Sequence, residues 1–129
     1  YRRTSEVPLE WLYRMRSWLE AGVQLAAGSD SPAGPESPLL ALAGALSRRT
    51  ESGFVLGPEE RLNPVQALSS LTAWAADASG FDDAGRLRPG GPGDAVVLEP
   101  NPLAARVPGD GAGPFRVRLV VHRGRPFEP

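Results

Sequence analysis

Glycine and proline set the terms for this chain. Its 129 residues include 15 of the first and 14 of the second, and these fall in clusters between periodic segments. Proline removes a backbone donor, and glycine loses the most conformational freedom on ordering, so the clusters end elements rather than extend them. The clustering predicts a succession of short helices and strands, not general disorder. The length fits one ordinary domain with a modest core, and the apolar fraction of 41% is slightly low for a compact protein.

The segments between the breaks have readable periods. Trp11, Leu12, Met15, Trp18 and Leu19 recur at spacings of three and four, which predicts an amphipathic helix over residues 8–20. Pro8 suits its first position and Gly22 its C′ position. The apolar run Val23 to Ala27 lacks strict alternation, as does a strand buried on both faces of a parallel sheet. After a Ser31–Glu36 loop, Ser37 and Pro38 open a helix with Leu39, Leu42 and Leu46 on one face, ending near Arg48 and Arg49. Asn63 with Gln66 forms a capping-box pattern for a helix that runs to Gly80, expected to bury Val65, Leu68, Leu71, Thr72 and Ala75.

Beyond Gly80 the pattern turns to β. Residues 94–99 read as one strand and 115–122 as another, with Phe115, Val117, Leu119 and Val121 alternating against Arg116, Arg118, Val120 and His122. Arg123-Gly124 turns the chain into a short final strand. Between the strands, Pro102–Pro114 reads as a loop.

Composition closes off several functions. A net charge of -1 without blocks of like charge forecasts no nucleic-acid partner and no acidic membrane surface. No run approaches the ~20 apolar residues that span a bilayer. Without Cys there is no disulfide framework and no thiolate metal site, which fits a reducing cytoplasm. All 14 basic residues are Arg, and this reads as codon bias, so arginine carries less functional weight than usual. The chain begins at Tyr1 with no initiator Met and no signal segment, from which the expectation is a fragment or trimmed product of something longer.

One residue stands out chemically. In a parallel α/β fold the strand C-termini face the site, and Asp30 follows the 23–28 run. A carboxylate there, ionised at neutral pH, can bind a divalent cation or accept a proton from water. By pattern alone the rival reading is stronger: Asp30 sits in a Ser-Asp-Ser-Pro turn, where aspartate is common. A catalytic metal takes about three protein ligands, usually including His, and His122 is the one histidine. It reads as a partly exposed strand residue. Ser29 and Ser31 lack a nucleophile-elbow motif, Gly90-Gly91-Pro92-Gly93 is no phosphate loop, and Arg116, Arg118, Arg123 and Arg125 read as a solvated edge.

In order along the chain come Ala21-Gly22-Val23 through Gly28-Ser29-Asp30-Ser31-Pro32, and Ser37-Pro38-Leu39 leading to Ala45-Leu46-Ser47-Arg48-Arg49. Ala67-Leu68 follows with Leu71-Thr72 and Ala75-Ala76. Last come Gly85-Arg86-Leu87-Arg88-Pro89-Gly90, Gly93 through Leu98, and Val117 to Gly124-Arg125. This order resembles the C-terminal part of the amidohydrolase superfamily, and most of all its N-substituted formamide deformylase-like branch, amidohydrolase family 3. It departs at Gly93, where that family usually has Ala, and at Gly91-Pro92, where a basic residue is common.

The resemblance implies an α/β fold: the C-terminal piece of a (β/α)8 metal-dependent hydrolase barrel plus part of a small β-sandwich subdomain. Residues 1–80 would hold the last barrel strand, about 23–28, with flanking helices, and residues 81–129 the subdomain strands. It implies a divalent metal, zinc, held in the parent protein by groups upstream, with none bound to this chain alone. Asp30 would be a metal ligand and catalytic proton acceptor, with Ser29 and Ser31 near the substrate and Gly28 and Pro32 shaping the loop. The expected parent hydrolyses a non-peptide C–N bond, amide or formamide-like, in a small molecule, and the isolated piece is inactive. Its expected partner is the remainder of the parent chain, or a second copy. The alternative is a non-catalytic binding or structural module, a degenerate barrel remnant.

Overall fold

A computed structural model describes residues 6–34, 36–104 and 115–127. Most of the expected Pro102–Pro114 loop, from residue 105 on, lies outside the described residues, as does Pro35 of the Ser31–Glu36 loop. The first departure comes early. In place of one helix over residues 8–20 there is a 3₁₀ turn, Leu9–Trp11, and a helix α1, Met15–Glu20. They part at Tyr13, whose φ of 54 is left-handed and cannot continue a right-handed helix. Met15 and Leu19 still pack on the core, while Trp11 and Trp18 remain more than half exposed. The end of α1 follows expectation: Gly22, with φ 82, donates its N–H to the Leu19 carbonyl at 3.0 Å.

Two buried charges fix α1 against the rest. The Glu60 carboxylate accepts hydrogen bonds from the Ser17 N–H at 2.9 Å and from the Ser17 hydroxyl, at the open N-terminal turn of α1. Arg48, also buried, donates from Nε to the Leu56 carbonyl at 2.8 Å and from Nη2 to the Leu12 carbonyl at 3.1 Å. Arg48 also ends α2, Pro38–Ser47, in a left-handed conformation of φ 57. Ser37 precedes that helix without a side-chain capping bond, so Pro38 at the first position does the initiating. Leu42 and Leu46 of α2 lie in the core with Leu62, Ala67 and Phe115.

The expected capping box is present: Gln66 N–H to Asn63 Oδ1 at 2.9 Å and Asn63 N–H to Gln66 Oε1 at 3.0 Å open α3, Pro64–Leu71. The buried face agrees with the expected one in part, with Leu68 and Leu71 packed on the core. Ala67, Ser70 and Ala76 are buried, whereas Val65 is 63% exposed and Thr72 is exposed. Thr72, at φ -126 and ψ -95, breaks the helix, and α4 follows as Ala73–Ala78. The chain crosses this break at Gly85 (φ 72), where a Cβ would lie 2.5 Å from the Thr72 carbonyl oxygen; only glycine allows that approach.

Residues 23–28 are not a strand here. A strand needs a ladder partner, and the sheet among the described residues is elsewhere in the chain. Its backbone is tied by Val23 N–H to the Trp18 carbonyl at 2.9 Å and Ala27 N–H to the Ser70 carbonyl at 2.9 Å, and Gln24 Nε2 donates to Asp77 Oδ2 at 3.3 Å. Among the described residues the arrangement is α/β, helices with one antiparallel sheet of three strands. No helix among those residues is long and apolar enough to cross a membrane.

That sheet has the order β1-β2-β3, with β1 Ala95–Glu99, β2 Arg116–His122 and β3 Arg125–Phe127. Ala95 pairs with Val121 and Glu99 with Arg116, with an irregularity at Val97/Leu98. Arg123 and Gly124 both have positive φ (49 and 75), as a two-residue hairpin requires. Gly124 N–H reaches the Gly93 carbonyl at 2.8 Å, and a Cβ on Gly93 would lie 2.9 Å from that nitrogen, which accounts for glycine there instead of alanine. Phe115 and Leu98 carry the sheet onto the helical core.

Burial pushes the Glu60 carboxyl upward, but the bonds from Ser17 and the Arg16 N–H, with the Arg14 charge, outweigh it and leave the group below its ordinary value. The stability it contributes is complete above the unfolded value of about 4.3 and is lost as pH falls through the lower folded value. Glu60→Gln is expected to cost about 1–3 kcal/mol at pH 7 in urea unfolding, with a shallower loss of stability than wild type below about pH 4.3. Equal stabilities and parallel pH slopes would remove Glu60 from this role.

Candidate functional site

Asp30 closes the irregular segment at a corner. Its φ of 55 is left-handed, a conformation that aspartate tolerates better than most residues, and its carbonyl accepts the Gly34 N–H at 2.8 Å. The Ser31 N–H donates to Ser29 Oγ at 3.3 Å, a local turn bond of the kind serine supplies. Ser29 is therefore engaged with the backbone, and Ser31 is exposed. The backbone forms the turn, and Asp30 is exposed.

Behind this corner lies a cleft of about 490 Å³. Leu25 to Gly28 form one wall; Tyr13, Met15 and Trp18 form another, and Ala41, Gly44 and Ala45 of α2 floor it. Its lining is mainly apolar, with Arg48, Arg49 and Thr50 at one side, and Asp30 is not part of it. The sequence pattern does not reveal this cleft, because it arises where the 23–28 segment stands off α1.

A catalytic metal usually takes three protein ligands. Among the described residues no three His, Cys, Asp or Glu side chains gather into such a group. The described residues thus do not by themselves fit a metal centre, and the contact of His122 is with Asp94. That histidine lies in β2, more than half exposed, with Nδ1 3.1 Å from Asp94 Oδ1. Asp94 also accepts the Arg123 N–H at 2.6 Å, and this bond, ahead of His122 and the Arg123 charge, holds its carboxyl below the ordinary range. The pair staples the hairpin.

Other sequence candidates resolve into structure. Gly91 donates its N–H to the Arg88 carbonyl at 3.1 Å, and the glycine run opens no helix. Arg118 pairs with Glu99 at 3.1 Å, both side chains exposed. Ser70, unnoticed in the sequence, holds the site segment: its carbonyl takes the Ala27 N–H, while its hydroxyl donates to the Ala67 carbonyl at 2.9 Å. Its spacing of three from Ala67 is the signal that was available.

Comparison with known proteins adds to this geometry. The family model described as "Amidohydrolase family" matches residues 1–127. Over 93 residues the chain is 34% identical to an N-substituted formamide deformylase of Arthrobacter pascens; the match covers 71% of this chain and 17% of that protein. The chain therefore spans under a fifth of that relative's length. No solved structure matches it.

The left-handed corner gives a direct check. Asp30→Val is expected to lower stability by about 1–2 kcal/mol in thermal unfolding, while Asp30→Gly stays within a few tenths of wild type, about 0.5 kcal/mol. Equal losses in the two variants would show that residue 30 is not held at positive φ.

Proposed function

Because the chain belongs to the amidohydrolase family, we propose that it is the closing part of a metal-dependent hydrolase of non-peptide C–N bonds, amide or formamide-like, and contributes Asp30 to the active site. The observation that carries the reading is the placement of Asp30, an exposed carboxylate on a left-handed corner directly after residues 23–28. Members of the family are generally metal-dependent. A divalent ion, zinc in this reading, would draw its other ligands from polypeptide beyond this chain.

The chemistry asked of Asp30 is proton transfer. Water attacks the carbonyl carbon and gives up a proton; the C–N bond breaks and the nitrogen leaves with a proton. Asp30 accepts the first and can return it to the departing nitrogen, a role worth roughly 10²–10⁴ in rate. Ser29 fixes the turn, and Ser31 and Pro32 border the substrate side. The substrate is a small molecule, the setting a reducing cytoplasm, consistent with the absence of Cys, and the isolated chain is inactive. A non-catalytic binding module is the competing reading, supported by the apolar cleft beside residues 25–28.

A chimera separates the two. The 93 matching residues replace their counterparts in the Arthrobacter pascens deformylase, which is assayed on an N-substituted formamide. Activity is expected, with kcat reduced about 10²–10⁴-fold by Asp30→Asn while far-UV circular dichroism is unchanged. A folded, active chimera indifferent to Asp30→Asn would overturn the assignment.

A further inference from the structure

The helix α3 stops after Leu71, and the residue seated on its end comes from the loop beyond α4. In a continuous α-helix the Trp74 N–H would reach back to the Ser70 carbonyl. Here Thr72, at φ -126 and ψ -95, takes the chain out of the helix, and the Ser70 carbonyl accepts the Ala27 N–H at 2.9 Å. It is one of the terminal carbonyls that a helix leaves without an internal partner. The break between α3 and α4 thus supplies the acceptor that holds the segment leading to Asp30.

Two residues keep that break in place. Thr72 compensates for it. Its N–H moves to the Ser69 carbonyl at 3.1 Å, and its hydroxyl donates to the Leu68 carbonyl at 2.7 Å, the acceptor its N–H would use in an uninterrupted helix. Gly85, at φ 72, occupies it. A Cβ there would stand 2.5 Å from the Thr72 carbonyl oxygen, 2.6 Å from its carbon and 2.9 Å from the Ala73 nitrogen. All three are backbone atoms, so no side-chain rotation relieves the contact; the loop must lift or the break must change shape. Next to Gly85, Arg86 Nη2 donates to Asp77 Oδ2 at 2.7 Å, and Gln24 Nε2 donates to the same oxygen at 3.3 Å. The crossing loop and the segment before Asp30 are therefore fastened to the same pair of helices.

We propose that Thr72 and Gly85 are positioning residues for Asp30: they maintain the α3–α4 break, so that the Ser70 carbonyl anchors Ala27 and thereby sets the carboxylate that follows it. The proposal rests on the hydrolase reading of Asp30. The chain from Ala27 to Asp30 spans at most about 11 Å, so displacing the anchor displaces the carboxylate. A misplacement of about 1 Å costs roughly 10²-fold in rate. Both residues act through Asp30, and neither supplies a reacting group.

A double-mutant cycle in the deformylase chimera tests this. Thr72→Val keeps the shape of the side chain and removes its hydroxyl, whereas Thr72→Ser keeps the hydroxyl. Gly85→Ala is expected to lower kcat about 10²-fold and Thr72→Val about tenfold, with KM within about twofold. Thr72→Ser is expected to restore kcat to within about twofold of the threonine chimera. In an Asp30→Asn background Gly85→Ala and Thr72→Val should change kcat by less than about twofold, because the group they position is already gone. If Gly85→Ala does not fold, Thr72→Val carries the cycle. In the 129-residue chain, the Ala27 amide is expected to exchange about tenfold faster in Thr72→Val than in Thr72→Ser. Equal losses of kcat with and without Asp30→Asn, where Asp30→Asn by itself slows the reaction, would overturn the proposal and leave the hydrolase reading intact. So would an Ala27 amide indifferent to these substitutions. An Asp30→Asn chimera of undiminished activity would overturn the hydrolase reading and the positioning role together.

Discussion

Among the described residues no strand lies beside residues 23–30, and much of the molecule follows from how the chain manages that deficit. Among the described residues two backbone bonds, one to the end of α1 and one to the last turn of α3, position Val23 through Ala27, together with the Gln24 side chain on Asp77 and Leu25 on the core. The carbonyl of Ser70 would otherwise be an orphan of the α3 C-terminus, so one bond serves both segments. The cleft opens between this run and the side chains of Trp18 and Tyr13. Because the run ends on a left-handed residue, Asp30 turns outward and does not join the cleft.

Around that segment the buried charges do the locking. Glu60 satisfies the N-terminal turn of α1, and Arg48 bonds the carbonyls of Leu12 and Leu56. The two lie close enough for the Glu60 charge to oppose the lowering of the Arg48 pKa that burial causes. Removing either would leave backbone polar groups buried and unpaired, which costs more than the bond itself contributes. The helical layer is thus fastened to the N-terminal turn electrostatically, while Leu42, Leu46, Leu62, Ala67 and Phe115 fill the space between.

What the sequence made legible was local chemistry. The Asn63–Gln66 capping box, the Pro38 helix start, the Gly22 stop and the Arg123-Gly124 hairpin depend on neighbours within a few residues, and all are present. What it concealed depended on distant contacts. The break at Tyr13, the exposure of Val65 and Thr72 and the crossing of Gly85 over Thr72 are set by packing that no periodicity encodes. The 23–28 run shows the limit most plainly: its composition is that of a doubly buried strand, yet a strand exists only with a partner. Asp30 was visible as a residue, and its exposed, left-handed setting was not.

The functional account rests on this one carboxylate and on a family relationship that spans residues 1–127. The described residues bring no second and third ligand to it, so the proposed chemistry requires polypeptide that this chain does not provide. A crystal structure of the active deformylase chimera tests this most directly. The account predicts an Asp30 carboxylate oxygen about 2.0–2.2 Å from a bound divalent ion, with every other protein ligand contributed by the deformylase portion. A metal fully ligated without Asp30, its carboxylate instead turned into the Ser29–Gly34 turn, would contradict it.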